Sequence, residues 1–163
     1  MPVPAVIATA ASEYSFNNGF LDKMVSDLAP EDWLRRPNES SNHVAWIVGH
    51  MVWARKQVLR RLGTDWSAPW LGLFARGEKL DPSAAYPSSD ALLAAWRDVG
   101  AVLANTLENV SEESLAKPAA QPGPPSADGK ESGVVSFLAW HETYHLGQIS
   151  CLRGWLGHKG IMG

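Results

Sequence analysis

The sequence predicts an all-α protein, a four-helix bundle with long crossover links and short extra helical turns, folded as one domain over residues 1–163. Two observations point to the bundle. Four long segments carry apolar residues at helical spacing, each along one stripe. No segment alternates apolar and polar residues in the manner of a strand, and no internal repeat is present. A third observation sets the connections: proline and glycine cluster in the links, which are long enough that simple up-down-up-down order is not required.

The first segment spans residues 5–28, with a stripe of Ile7, Ala11, Tyr14, Asn18, Leu21, Val25 and Leu28. The apolar opening that precedes it has two prolines and no positive charge, so it is read as the start of a helix rather than a signal peptide. A short helical turn is expected at residues 30–36, opening on acidic residues and closed by Pro37. The second segment spans residues 42–62, capped by Ser40 or Ser41, with Ile47, His50, Ala54 and Val58 on its stripe and Met51 beside it. A Gly-, Pro- and Trp-rich link covers residues 63–87. The third segment, residues 89–109, follows serine caps and aligns Leu92, Trp96, Val99, Leu103 and Leu107. Another short turn is expected at 111–117, then an irregular stretch at 118–127 carrying Pro118, Pro122, Gly123, Pro124 and Pro125. The fourth segment, residues 133–156, aligns Val134, Leu138, His141, His145, Gln148 and Leu152, and Gly157 stops it.

Composition narrows the function. The chain is 45% apolar and 19% charged, which supports a packed core rather than disorder. Its net charge is -3 and its basic residues form no stripe, so there is no electrostatic footprint for nucleic acid. No segment approaches a membrane span. The single cysteine, Cys151, forms no internal disulfide, and a reducing, cytoplasmic setting is expected. Cys151 stands six residues beyond His145 and points away from it, and is read as a buried free thiol.

The chemistry concentrates in His141-Glu142-Thr143-Tyr144-His145. Residues four apart on a helix leave the same face one turn apart, the arrangement that two ligands of one metal ion need. Both histidines lie on an apolar stripe, where an uncompensated polar group is costly. His50 lies on the stripe of another helix, and bundles build metal sites from inward side chains on facing helices. Three neutral imidazoles hold a divalent ion and leave positions open, as catalytic rather than structural sites do. His43 shares the face of His50 but stands seven residues, about 10.5 Å, along the axis, too far to join the same ion. His158, past the helix stop, is expected to be solvated.

His-Glu-x-x-His is also a protease signature, with the glutamate as base and a further ligand commonly downstream. Here Gln148 and Cys151 occupy the downstream positions that would carry glycine and histidine in one version of it, and His158 is the one possible ligand left. The protease reading is therefore the weaker one.

Two stretches carry a family resemblance. Asn42-His43-Val44-Ala45-Trp46-Ile47-Val48-Gly49-His50-Met51-Val52-Trp53 resembles the second-helix signature of the DinB/YfiT-like superfamily. His141-Glu142-Thr143-Tyr144-His145-Leu146-Gly147-Gln148-Ile149, with Leu152-Arg153 and Leu156-Gly157 after it, resembles the last-helix signature, and residues 30–37 fit the usual lead into helix two. The resemblance implies a four-helix bundle with one divalent ion, nickel or zinc, held by His50, His141 and His145. It also implies a homodimer, and chemistry like that of relatives that are thiol-dependent S-transferases or isomerases using a low-molecular-weight thiol cosubstrate.

Neighbouring residues have weaker claims. Glu142 is about 100° round the helix from His141. It is a candidate base at the rim of the site, although a surface or interface carboxylate is the favoured expectation. Tyr144 is a candidate donor, with core packing as its commoner use. Gln148 is placed to bond a ligand imidazole or a substrate. Trp46 and Trp53 flank His50 and are candidate pocket walls, against ordinary core packing. Asn17 and Asn18 interrupt the first stripe, either lining the cavity or marking a kink beside Gly19. The resulting expectation is a metal-dependent enzyme acting on a small molecule by thiol transfer. The alternatives are hydrolysis by metal-activated water, and a non-catalytic metal-containing ligand-binding or stress-related protein.

Overall fold

The computed structural model describes residues 2–162; the first and last residues of the expected 1–163 domain lie outside the described residues. Those described form helices and turns with no strand. In chain order the helices are α1 (Ala8–Val25), α2 (Val44–Arg61), α3 (Ser89–Asn109), the short α4 (Glu112–Ala116) and α5 (Glu131–Trp155). Tight 3-10 turns at Ala5–Ile7, Pro30–Leu34 and Leu71–Phe74 complete the set. None of these helices is long and apolar enough to cross a membrane.

Each of α1 and α2 packs against both α3 and α5, so α1 and α2 face one another across the bundle diagonal. Tyr14 meets Val135, Asn17 meets Glu142 and Arg153 meets Met24, so α1 and α5 run parallel. Arg55 meets Glu142 while Arg61 meets Glu131, so α2 and α5 run antiparallel. Asn18 lies against Gly100 and Asp22 pairs with Arg97, so α1 and α3 are antiparallel as well. The order is up-down-down-up. The link between α2 and α3 is therefore a crossover that travels the length of the bundle, as its length allowed.

Local chemistry explains the boundaries. Ser88 accepts the Ala91 amide at 3.2 Å to cap α3, and Ser111 accepts the Ser114 amide at 3.1 Å to cap α4. The cap of α2 is not Ser40 or Ser41. His43 takes that place, its Nδ1 accepting the Trp46 amide at 3.0 Å, and the serines instead bond Asn38 in the preceding turn. Gly157, at φ 91°, ends α5 as expected. The His158 amide returns to the Arg153 carbonyl and the Gly157 amide to the Gly154 carbonyl, which closes a Schellman motif.

The predicted α3 stripe is buried at every position. On α1 the buried set moves round to Ala10, Tyr14, Asn17, Leu21 and Met24, because this helix serves two neighbours. The N-terminal half of α2 is buried on all sides, from Val44 to Val52, since the turns Pro30–Leu34 and Leu71–Phe74 cover the side that the other long helices leave open. On α5 a second buried stripe, Val135, Ala139, Glu142, Leu146, Ile149 and Arg153, runs beside the predicted one. Cys151 is exposed rather than buried, because it lies off both stripes on the outer face of α5.

Candidate metal centre

Helices α2 and α5 bring His50, His141 and His145 together. One ring nitrogen from each falls within 4.8 Å of the others. The antiparallel packing of the two helices sets this meeting, and the one-turn spacing of His141 and His145 places their rings edge to face on a single face of α5. His50 and His145 are buried and His141 is half-buried.

The hydrogen bonds fix how the rings present themselves. His50 Nδ1 donates to the Phe74 carbonyl at 2.7 Å, which leaves Nε2 as its lone-pair nitrogen. Gly49 makes that bond possible, since a Cβ there would stand 2.5 Å from the Phe74 ring. His145 Nδ1 donates to Gln148 Oε1 at 2.7 Å, and Gln148 Nε2 donates to the Tyr144 hydroxyl at 3.3 Å. Trp46, one turn before His50, and Trp53, one turn after it, lie nearly parallel to its ring with centroids at 5.0 and 5.5 Å.

This donor set fits a divalent cation. The Nε2 atoms of His141 and His145 face each other at 3.0 Å. His145 Nε2 presents a lone pair, and His141, whose Nδ1 is buried without a hydrogen-bond partner, can turn either its N–H or its lone pair toward it; in the second form both lone pairs point where a cation would sit. Burial, then the neighbouring imidazoles and Arg76, holds His141 down to about 4. Burial likewise holds His145 at about 4 against the opposing pull of the Gln148 bond. His50 is lowered by burial, partly offset by its bond to Phe74. Neutral imidazoles suit a metal ligand set, and two of the three, His50 and His145, have the outer nitrogen oriented by a hydrogen bond.

Glu142 lies elsewhere. It is 1% exposed, on the second stripe of α5, and takes no part in the histidine cluster. Its oxygens accept from Arg55 Nε at 2.7 Å and Arg55 Nη2 at 2.8 Å, and Asn17 Nδ2 adds a third bond at 3.1 Å. Of the surface and interface positions expected for it, Glu142 takes one between packed helices: the residue beside His141 is turned about 100° into the bundle centre. Asn18 Oδ1 accepts from Arg55 Nη1 at 2.6 Å, and the guanidinium lies 3.4 Å from the Trp96 ring centroid. Asn17 and Asn18 therefore serve Arg55 and Glu142, not the histidines. Tyr144 is 54% exposed, outside the core, and touches the site only through Gln148 and the edge of the His145 ring. His43 is the α2 cap, and His158 is partly covered beside Asp27 and Asp32.

A cavity of about 430 Å³ opens beside the cluster, with His50 and His141 in its wall. Trp53, Phe137 and Leu138 give it apolar sides, and residues 122–125 of the α4–α5 link cover one flank. Arg60, Arg61 and Arg76 also line it. Sequence reasoning missed Phe74, Arg55 and Arg76. Arg55 alone left a local signal, an arginine four residues after the core residue Met51.

The sequence model of the DinB superfamily matches residues 19–149. The chain belongs to the DinB superfamily. Neither a curated protein nor a solved structure matched it.

Proposed function

We propose that the protein is a divalent-metal-dependent enzyme that transfers a low-molecular-weight thiol to a small molecule bound in the cavity, with His50, His141 and His145 as metal ligands. The observation that carries this reading is the placement of two of the three clustered histidines, His50 and His141, in a cavity wall rather than in a closed core. A divalent ion held there would acidify a thiol that reached it, supplying a nucleophile near neutral pH.

The chain's own residues supply the rest. Phe74 and Gln148 hold the His50 and His145 rings with Nε2 inward. Trp46 and Trp53 restrict rotation of His50, and Trp53 and Phe137 offer flat apolar surface to the substrate. The engagement of Glu142 by Arg55 and Asn17 argues against a protease-like role, because a general base must reach the proton that it removes. Thiol transfer is favoured over hydrolysis on that ground and by the family.

The test is to incubate the purified protein with several small thiols and monobromobimane, before and after removal of the metal. Metal-dependent consumption of one thiol supports the reading; turnover that ignores metal removal contradicts it.

A further inference from the structure

We propose that the cavity binds a small organic oxyanion, a carboxylate or phosphate on an apolar body, with Arg76 and Arg60 as its recognition groups; this rests on the reading of the histidine cluster as the reactive end of that cavity. The charge distribution is the first argument. Three arginines and no carboxylate line the cavity, in a chain whose net charge is -3. Arg61 is neutralised by Glu131, at 3.0 and 3.1 Å, and also holds the Ala120 carbonyl. Among the described residues, Arg60 and Arg76 have no carboxylate partner. Arg76 makes one long contact, 3.5 Å, to the Gly123 carbonyl. Arg60 and Arg76 are exposed residues at the edge of a partly open, largely apolar cavity, and two cations so placed without a carboxylate suit an anion more than they suit the fold.

Geometry is the second argument. His50, Trp53, Gln57 and Arg60 follow at helical spacing along one face of α2, so that face runs from metal ligand through indole and amide to guanidinium. Arg60 stands about 15 Å along the axis from His50. Arg76, just past the turn whose Phe74 carbonyl holds His50, lines the cavity together with His141. A volume of about 430 Å³ suits a small molecule rather than a polymer. Guanidinium groups recognise carboxylate and phosphate by paired hydrogen bonds, so the site would discriminate an acid from its ester.

The experiment is titration calorimetry of the purified protein with isophthalate, phenyl phosphate and the neutral dimethyl isophthalate, with the metal content of every sample measured. At least one anion should bind ten or more times as tightly as the diester, about the loss expected of one charge-assisted bond. Whichever anion binds identifies carboxylate or phosphate as the preferred group. Arg76→Gln and Arg60→Gln should each weaken it about tenfold, with metal content and melting temperature unchanged. Arg97→Gln, remote and paired with Asp22, should leave binding intact. Equal binding of acid and ester, or unchanged affinity in the Arg60→Gln/Arg76→Gln double variant, would overturn the proposal. Protein that takes up no nickel or zinc when incubated with them, yet binds the anion through its arginines, would sink the histidine reading alone. Metal-loaded protein that binds acid and ester alike would sink the oxyanion site alone.

Discussion

Glu142 follows His141 directly in the chain, yet its carboxylate grips the Arg55 guanidinium in the bundle centre, at 2.7 and 2.8 Å. Arg55 is itself 1% exposed and reaches α1 through Asn18 and α3 through Trp96, so one side chain of α2 touches all three of the other long helices. A charge so placed is costly without its partner. Glu142→Gln should destabilise the fold by about 3–5 kcal/mol. For a domain of this size each kcal/mol lowers Tm by roughly 2–4 °C. Replacing both partners by apolar residues, Arg55→Met with Glu142→Leu, should cost less than either single change. Thermal melts of Glu142→Gln, Arg55→Met, Glu142→Leu and the double variant check this, and a catalytic-base role would instead show a stable Glu142→Gln protein that had lost activity.

Gly49 should be irreplaceable even by alanine. The added methyl would meet the Phe74 ring at 2.5 Å, and moving Phe74 withdraws the carbonyl that orients His50. Gly49→Ala is expected to cost about 1–3 kcal/mol and to weaken metal binding in a competition titration with a chelator.

Gln148 acts on the metal centre through His145. Gln148→Ala frees the His145 ring to turn and should lower metal affinity about 10–100-fold. The fold should persist, since Gln148 is only half-buried. Circular dichroism alongside chelator competition separates the two effects.

His43 makes stability depend on pH. Burial, reinforced by Arg36, holds it at about 4 in the folded protein, and its Nδ1 must stay unprotonated to cap α2. The unfolded chain takes up the proton near its ordinary value of about 6.5. The contribution is therefore present above that value and is lost as pH falls towards 4, by up to about 3 kcal/mol. His43→Asn keeps a capping acceptor and should flatten the pH dependence of urea unfolding between pH 7 and 4.5 relative to the wild type.

The readable parts of this fold were those set by local pattern. The α3 stripe and its Ser88 cap followed from periodicity and a serine in the right place, and Gly157 from the need for a left-handed residue after a helix. What escaped depended on segments remote in sequence. The all-round burial of α2 requires Pro30–Leu34 and Leu71–Phe74 to pack on it, and no periodicity within α2 encodes that. The second stripe of α5 was hidden because glutamate and arginine occupy two of its positions, and each is apolar-compatible only with the partner that folding supplies. In the candidate site, the three histidines were legible because each interrupts an apolar stripe. Phe74 contributes a backbone carbonyl, which any residue type could provide, and Arg76 lies in a link with no period.

Metal content, determined by inductively coupled plasma mass spectrometry on wild-type protein and on His50→Ala, tests the central claim most directly. The account predicts about one divalent ion per wild-type chain, as three-histidine sites hold, and its loss in the folded variant. Stoichiometric metal retained by His50→Ala, or none in the folded wild type after incubation with nickel or zinc, would contradict it.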